Sequence, residues 1–290
     1  MSRAKAFREQ LNKGGMVVAP GAYDCVMARA IERAGFGAVY MTGGGTAASH
    51  GYPDYGLLTM TEMAENAGRI TTAVSLPVIA DADTGYGNEL NTIRTVREYE
   101  RRGVAGMHIE DQGFPKKCGH LENKEIVPIE DYVAKIRAAV SARRDPDFVI
   151  IARTDSRAVL GFEEAIRRGK AALDAGADMI FVEAPQSMEE VEAIPKLIPG
   201  PCMLNIVWRG KTPPIGFREA EEMGYRVAIL PSILFKTVMG AADAILDQAI
   251  RESRHPVPTG DIGIGEGVKR VGGEEWDRIQ ETFAARRRAP

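Results

Sequence analysis

Short, continuously apolar runs alternate with longer stretches of helical periodicity from one end of the chain to the other. Met16-Val17-Val18-Ala19 reads as a buried strand, and residues 25–34 carry apolar side chains at helical spacing. Ala38-Val39-Tyr40-Met41 is a second strand that ends in Thr42-Gly43-Gly44-Gly45, and a polar loop through Asp54 leads to a helix over 61–74. Further strands are expected at 77–80, 106–109, 148–152, 179–182, 203–204 and 227–230. Helices are expected at 90–101, 129–141, 162–173 and 233–251; Pro128 suits the start of the second of these and Gly176 closes the third.

Strict βα alternation with continuously apolar strands implies a parallel sheet covered on both faces. Eight such units within about 250 residues favour a closed (β/α)₈ barrel over an open doubly wound sheet. No G-x-G-x-x-G motif opens a helix after the first strand, which weakens a dinucleotide-binding alternative. The barrel is expected over residues 1–255. Residues 256–290 are expected to form a Pro/Gly-rich linker and a C-terminal helix bearing Trp276, Ile279 and Phe283, packed on the barrel or on a neighbouring subunit.

Composition narrows the class of function. The 290 residues are 44% hydrophobic and 27% charged, with a net charge of -3, which offers no field for nucleic acid. No apolar run approaches the roughly 20 residues a membrane span needs. The first residues lack a hydrophobic signal core, and Cys25, Cys118 and Cys202 are scattered without metal-ligand spacing. A cytoplasmic enzyme acting on a small molecule is the expectation.

In a barrel the chemistry collects at the C-terminal ends of the strands. Those ends carry Thr42, Asp81 with Asp83, Glu110, Arg153, Glu183, Asn205 and Pro231. The acidic residues would repel one another without a cation, and their oxygens suit a hard ion such as Mg²⁺ or Mn²⁺; helix capping by Asp81 and Asp83 is the other reading. Arg153 suits a carboxylate or phosphate, or else pairs with a neighbouring glutamate. His108 lies within a strand, where a packed, hydrogen-bonded histidine is expected. The fourth strand runs into Glu110-Asp111-Gln112-Gly113-Phe114-Pro115-Lys116-Lys117-Cys118-Gly119-His120, a loop too rich in ionisable groups for a core. Cys118 stands between Lys117 and His120, a setting expected to lower the thiol's pKa.

Asp81-Ala82-Asp83-Thr84-Gly85-Tyr86-Gly87, Ile109-Glu110-Asp111-Gln112, Lys116-Lys117-Cys118-Gly119-His120 and Ala152-Arg153-Thr154-Asp155, in this order, resemble the motifs of the isocitrate lyase/phosphoenolpyruvate mutase superfamily, over about residues 5–255. The resemblance implies a (β/α)₈ barrel with a mobile lid, an eighth helix exchanged between subunits, and a homodimer or homotetramer. It implies that Asp81 and Asp83 bind Mg²⁺ with Glu110 supporting the ion through water. Tyr40, Thr42, Gly43 and Gly44 match the loop for the keto-acid end of the substrate, and Asp54 an aspartate near the metal. Lys117, Cys118, Gly119 and His120 match the gating loop, and Arg153, Glu183 and Asn205 substrate-binding positions. The implied activity is cleavage of a 2-hydroxy dicarboxylate of the alkylmalate type, such as 2,3-dimethylmalate, with Cys118 as acid. The base is left open between Tyr40 and solvent activated by the metal. Methylisocitrate cleavage, P–C bond formation and oxaloacetate hydrolysis or decarboxylation are alternatives on the same fold; a lapsed metabolite-binding protein is an alternative of another class. Val207 stands where tricarboxylate lyases carry a hydroxyl, and Lys236 where they carry arginine, which points to a smaller, alkyl-bearing acid.

Overall fold

The computed structural model describes residues 2–288. In chain order the elements are α1 (Arg3–Asn12), β1 (Val17–Ala22), α2 (Cys25–Arg33), β2 (Val39–Met41), α3 (Gly43–Ser49), α4 (Met60–Ala73), β3 (Val78–Asp81), α5 (Glu89–Arg101), β4 (Gly106–Glu110), α6 (Ile129–Ala142), β5 (Val149–Thr154), α7 (Arg157–Leu160), α8 (Phe162–Asp174), β6 (Met179–Val182), α9 (Met188–Leu197), β7 (Cys202–Asn205), α10 (Phe217–Glu222), β8 (Val227–Leu230), α11 (Ile233–Glu252), α12 (Ile264–Arg270) and α13 (Gly273–Arg288). The chain divides into two compact units, Met1–Phe235 and Lys236–Pro290, and all the strands belong to the first.

Each strand pairs in parallel with the next, and β1 closes on β8 through Val17↔Val227 to Pro20↔Leu230. The expected (β/α)₈ barrel is therefore present. Its interior is packed with Ala19, Tyr40, Ile79, Ile151, Phe181 and Ile229, and Phe7 of α1 joins the same cluster. Burying a side chain such as Phe7 contributes about 1.5–3 kcal/mol, which gives the short first helix a fixed place on the barrel. The other strand faces and the inner stripes of the helices form a second shell of apolar packing that includes Ile31, Ile70, Tyr99, Ile136 and Val191. Helix starts follow local chemistry. Asp24 caps α2, Ser187 caps α9, and Thr59 with Glu62 makes a reciprocal capping box on α4.

Helices α1, α7, α9 and α10 lie where the sequence reading names none, and two further stretches differ from its expectation. Gly43 to Ser49 is helical although it opens with three glycines, because Thr42 Oγ1 accepts from Gly45 N at 3.3 Å and Thr46 Oγ1 bonds back to Thr42 O at 2.7 Å. Residues 264–270, within the expected linker, form a further short helix. Helix α11 has no buried residue. Among the described residues no helix is long and apolar enough to cross a membrane.

Candidate active site

Strand register brings the polar strand ends together. β3 and β4 align Asp81 with His108, and β4 and β5 align Glu110 with Arg153. Side chains two apart on a strand share a face, so His108 and Glu110 both point into the barrel mouth, as do Arg153 and the following Asp155.

Asp81 is the hub of one half of the site. Its Oδ2 accepts from Gly43 N at 3.2 Å and from the Tyr40 hydroxyl at 3.3 Å, and its Oδ1 accepts from Asp83 N at 3.0 Å. Gly43 must be glycine here, since a Cβ would collide with the Asp81 carboxylate. Burial opposes ionisation of Asp81, but the His108 ring, Lys116 and Arg153 outweigh it and hold the carboxyl well below its usual range. Asp83 holds a left-handed backbone at φ 44°, an unusual conformation for a non-glycine residue. Burial, opposed by Lys116 but helped by Asp81 and Asp54, pushes its carboxyl up to about 6. Tyr40 OH lies 2.8 Å from His108 Nε2, and the His108 ring lies between Tyr40 and Phe181. Burial drives His108 down to about 4, so the ring is neutral at pH 7, the packed histidine expected from its place in the strand. Burial and Asp81 raise the Tyr40 hydroxyl well above its ordinary value, which makes it a hydrogen-bond donor at neutral pH rather than a phenolate base.

Arg153 is the hub of the other half. It is bidentate to Asp155, through Nε at 2.8 Å and Nη2 at 3.2 Å. It also lies 3.2 Å from Glu110 Oε2 and 3.3 Å from Glu183 Oε2, with its guanidinium 5.1 Å from the Phe181 ring centre. Glu183 accepts from Asn205 Nδ2 at 3.1–3.2 Å, and His120 Nε2 lies 3.3 Å from that same nitrogen. Arg153 thus pairs with neighbouring carboxylates, one of the two readings its sequence position allowed.

The loop after β4 closes over both halves. Lys116, almost fully buried, places Nζ 2.5 Å from Asp54 Oδ1 and 2.9 Å from Asp83 Oδ1. Cys118 N donates to Asp54 O at 3.2 Å, and a Cβ on Gly119 would sit 2.6 Å from Arg153 Nη2, so only glycine allows this approach. His120 Nδ1 accepts from Lys211 N at 3.0 Å. Gly44 lies against Asp54, its Cβ position 3.1 Å from Oδ2. Tyr40, Thr42, Gly43, Gly44, Asp54, Asp81, Asp83, Glu110, Cys118, Gly119, His120, Arg153, Glu183 and Asn205 therefore gather in one mouth.

Lys117 does not join them. Its Nζ donates outward to Asn123 O at 3.0 Å, while its backbone is held by Gln112. The expected fall in the Cys118 pKa is not found either. Burial first, then Asp54 and Glu183, push the thiol up to about 11. Lys116, Lys124 and Asp155 were missed as site residues. Asp155 shares the facing of Arg153 at a two-residue spacing, a signal the sequence did offer; which of two adjacent lysines turns inward depends on the loop's path.

Among the described residues no three acidic or imidazole side chains converge as a closed metal cage, but the oxygen donors at this rim fit a cation that keeps most of its waters. Both oxygens of fully buried Glu110, and Asp83 Oδ1, make no hydrogen bond, and they stand beside Asp81 at the same rim. Apart from the ion pairs with Lys116 and Arg153 these oxygens have no partner, and burial pushes the Glu110 and Asp83 carboxyls up. That is expected of carboxylates that suit Mg²⁺, an ion that keeps several waters and needs only one or two of them.

The phosphoenolpyruvate phosphomutase family profile matches residues 7–250. The chain is 53% identical to the 2,3-dimethylmalate lyase of Eubacterium barkeri over 80% of this chain and 81% of that protein. It is 44% identical to the 2-methylisocitrate lyase of Aeropyrum pernix over 84% and 79% of the two chains. Its fold superposes on a phosphonopyruvate hydrolase solved with oxalate and Mg²⁺ at a TM-score of 0.89, with 31% identity and coverage of 98% and 100%. A closed barrel, four motifs gathered at one rim and similarity over most of the chain agree: the chain belongs to the phosphoenolpyruvate phosphomutase family, within the isocitrate lyase/phosphoenolpyruvate mutase superfamily.

Proposed function

We propose that this protein is a Mg²⁺-dependent carbon–carbon lyase that cleaves a 2-alkylmalate, with 2,3-dimethylmalate as the representative substrate, into pyruvate and a carboxylate. The observation that carries the reading is the placement of the Cys118 loop, whose backbone bonds Asp54 O and whose Gly119 lies against Arg153 and Glu183. The 53% identity to a 2,3-dimethylmalate lyase supports it.

Asp81 and Asp83 would hold the cation, with Glu110 behind them; Mn²⁺ would also suit these ligands. When bound, the ion supplies Lewis-acid polarisation of the substrate's 2-hydroxyl and its adjacent carboxylate. Thr42, Gly43 and Gly44 form the start of α3 and line the place for the keto-acid end. Asp54, joined to Lys116 and not assigned to the ion, takes the hydroxyl proton. The C2–C3 bond then breaks, the C2 oxygen becomes the carbonyl of pyruvate, and C3 leaves as the enolate of a carboxylate. Arg153, Lys116 and His120 stabilise that developing charge in a site closed to water. Cys118 delivers its proton to C3, and for 2,3-dimethylmalate the second product is propionate. Tyr40 donates a hydrogen bond toward the acidic rim rather than acting as base.

The second reading is methylisocitrate cleavage, favoured by the 44% identical relative. Against it stands Val207, which cannot hydrogen-bond a third carboxylate. Gly210 separates it from the lid, a Cβ there falling 2.9 Å from His120 Cε1 and 3.1 Å from Val207 Cβ. A charged group left without its partner costs about 1–3 kcal/mol, roughly tenfold to a hundredfold in selectivity. Arg209 is exposed, with its backbone at φ 56°. A pyruvate-release assay run side by side on 2,3-dimethylmalate, methylisocitrate and oxaloacetate tests this. Higher kcat/KM for 2,3-dimethylmalate is expected; equal or better kcat/KM for methylisocitrate overturns the choice of substrate.

The same proposal includes a cytoplasmic location, which suits three free cysteines. It also includes a homodimer or homotetramer in which the eighth helix is exchanged between subunits. The exposed Met239, Leu246 and Ile250 of α11 support that part; light scattering on the purified protein tests the oligomeric state, and an intersubunit crosslink from α11 tests the exchange.

A further inference from the structure

Lys124 lies just beyond the lid, and its side chain is only 1% exposed. Asn123 before it takes a left-handed turn at φ 57°, which directs the chain inward. The Lys124 ammonium donates to the carbonyl of Gly119, the residue after Cys118, and lies 3.2 Å from Asp155 Oδ1. Asp155 is fully buried and holds Arg153 in bidentate fashion. Its Oδ1 is therefore shared between Lys124 and Arg153 Nη2. One ammonium joins the peptide carrying the thiol to the carboxylate that orients the guanidinium.

We propose that Lys124 is a positioning residue that locks the lid peptide of Cys118 onto the Asp155–Arg153 pair, so that thiol and guanidinium face one substrate in fixed register. The catalytic part of this rests on the lyase reading; the mechanical part does not. A second role for Lys124, simple neutralisation of buried Asp155, would weaken the whole barrel rather than the lid. The two differ in what they expose. Releasing the lid uncovers Cys118 alone, whereas weakening the barrel also uncovers Cys202, buried on β7.

The test is iodoacetamide labelling of the full-length protein without ligand, read peptide by peptide in a mass spectrometer. Lys124→Met keeps the aliphatic stem and removes the charge. Its Cys118 labelling should rise at least about tenfold while Cys202 labelling stays at the wild-type rate, the pattern of a local opening. Lys124→Gln keeps a donor and should fall between the two; it decides the matter if Lys124→Met does not fold. On the acid that the wild type cleaves, kcat should drop at least about tenfold with KM changed less than about threefold, as for a misplaced acid. Unchanged Cys118 labelling in a folded variant, or Cys118 and Cys202 rising together, overturns the proposal. Labelling needs no turnover, so it stands whether or not an alkylmalate proves to be the substrate.

Discussion

Burial and the Asp54 carboxylate keep the Cys118 thiol protonated up to about 11, which suits a group that gives up a proton only to a strongly basic carbanion. Iodoacetamide labelling of Cys118 should then climb about tenfold per pH unit from pH 7 to 10, where an ordinary thiol of pKa about 8.5 levels off near pH 9. Cys118→Ser should lower turnover at least about a hundredfold, the lower range for loss of a general acid, with little change in melting temperature. Near-normal turnover would take the thiol out of the mechanism. The two lysines before it separate cleanly in space. Lys116 neutralises Asp54 and Asp83, whereas Lys117 faces Asn123 at the surface. Lys116→Met removes the ammonium that Asp54 and Asp83 share and should cost at least about a hundredfold in kcat/KM, as for loss of a charge-stabilising group. Lys117→Met should stay within about threefold, since exposed contacts contribute little. Equal losses in both variants would show that the loop takes another path in the working enzyme. Residue identity alone could not separate them, because neighbours in a loop differ in facing only through contacts made elsewhere.

At the level of elements, the lid is tied by polar contacts and few apolar ones. Phe114 at its start and Leu121 near its end are both exposed. Segments with few buried apolar contacts open at low free-energy cost, and lids are drawn from them. Trypsin should therefore cut after Lys117 in the free protein and more slowly with Mg²⁺ and oxalate, a planar dianion resembling the enolate of pyruvate. Equal cutting under both conditions would count against closure. The regular elements were legible for a simple reason: continuously apolar strands and 3.6-periodic helices record burial on both faces or on one stripe. Helix α3 was not, because its glycines argue for a loop and only the Thr42 cap and the Thr46 contact overrule them.

For the whole molecule, the proposed cation ligands lie at the ends of β3 and β4 and the mouth's other groups at the ends of β2, β5, β6 and β7, so the site exists only once the barrel has closed. The barrel is held by packed apolar layers and not by the ion. Chelation should thus abolish turnover while leaving the circular dichroism and melting curve nearly unchanged, and Mg²⁺ or Mn²⁺ should restore activity. Full activity in protein shown by elemental analysis to lack metal would contradict the Lewis-acid role. The barrel class, the strand ends that carry Asp81, Glu110, Arg153, Glu183 and Asn205, and the place of the ionisable loop after β4 at the barrel mouth were all determined by the sequence, because periodicity and residue type encode which positions are buried and which end a strand. Tertiary structure alone decided that Lys116 and not Lys117 enters the pocket, that the Cys118 thiol is raised and not lowered, and that Lys124 and Asp155 join lid to guanidinium. Each of these depends on distances between residues far apart in the chain, and on how deeply they are taken out of water, which no local pattern of side chains records.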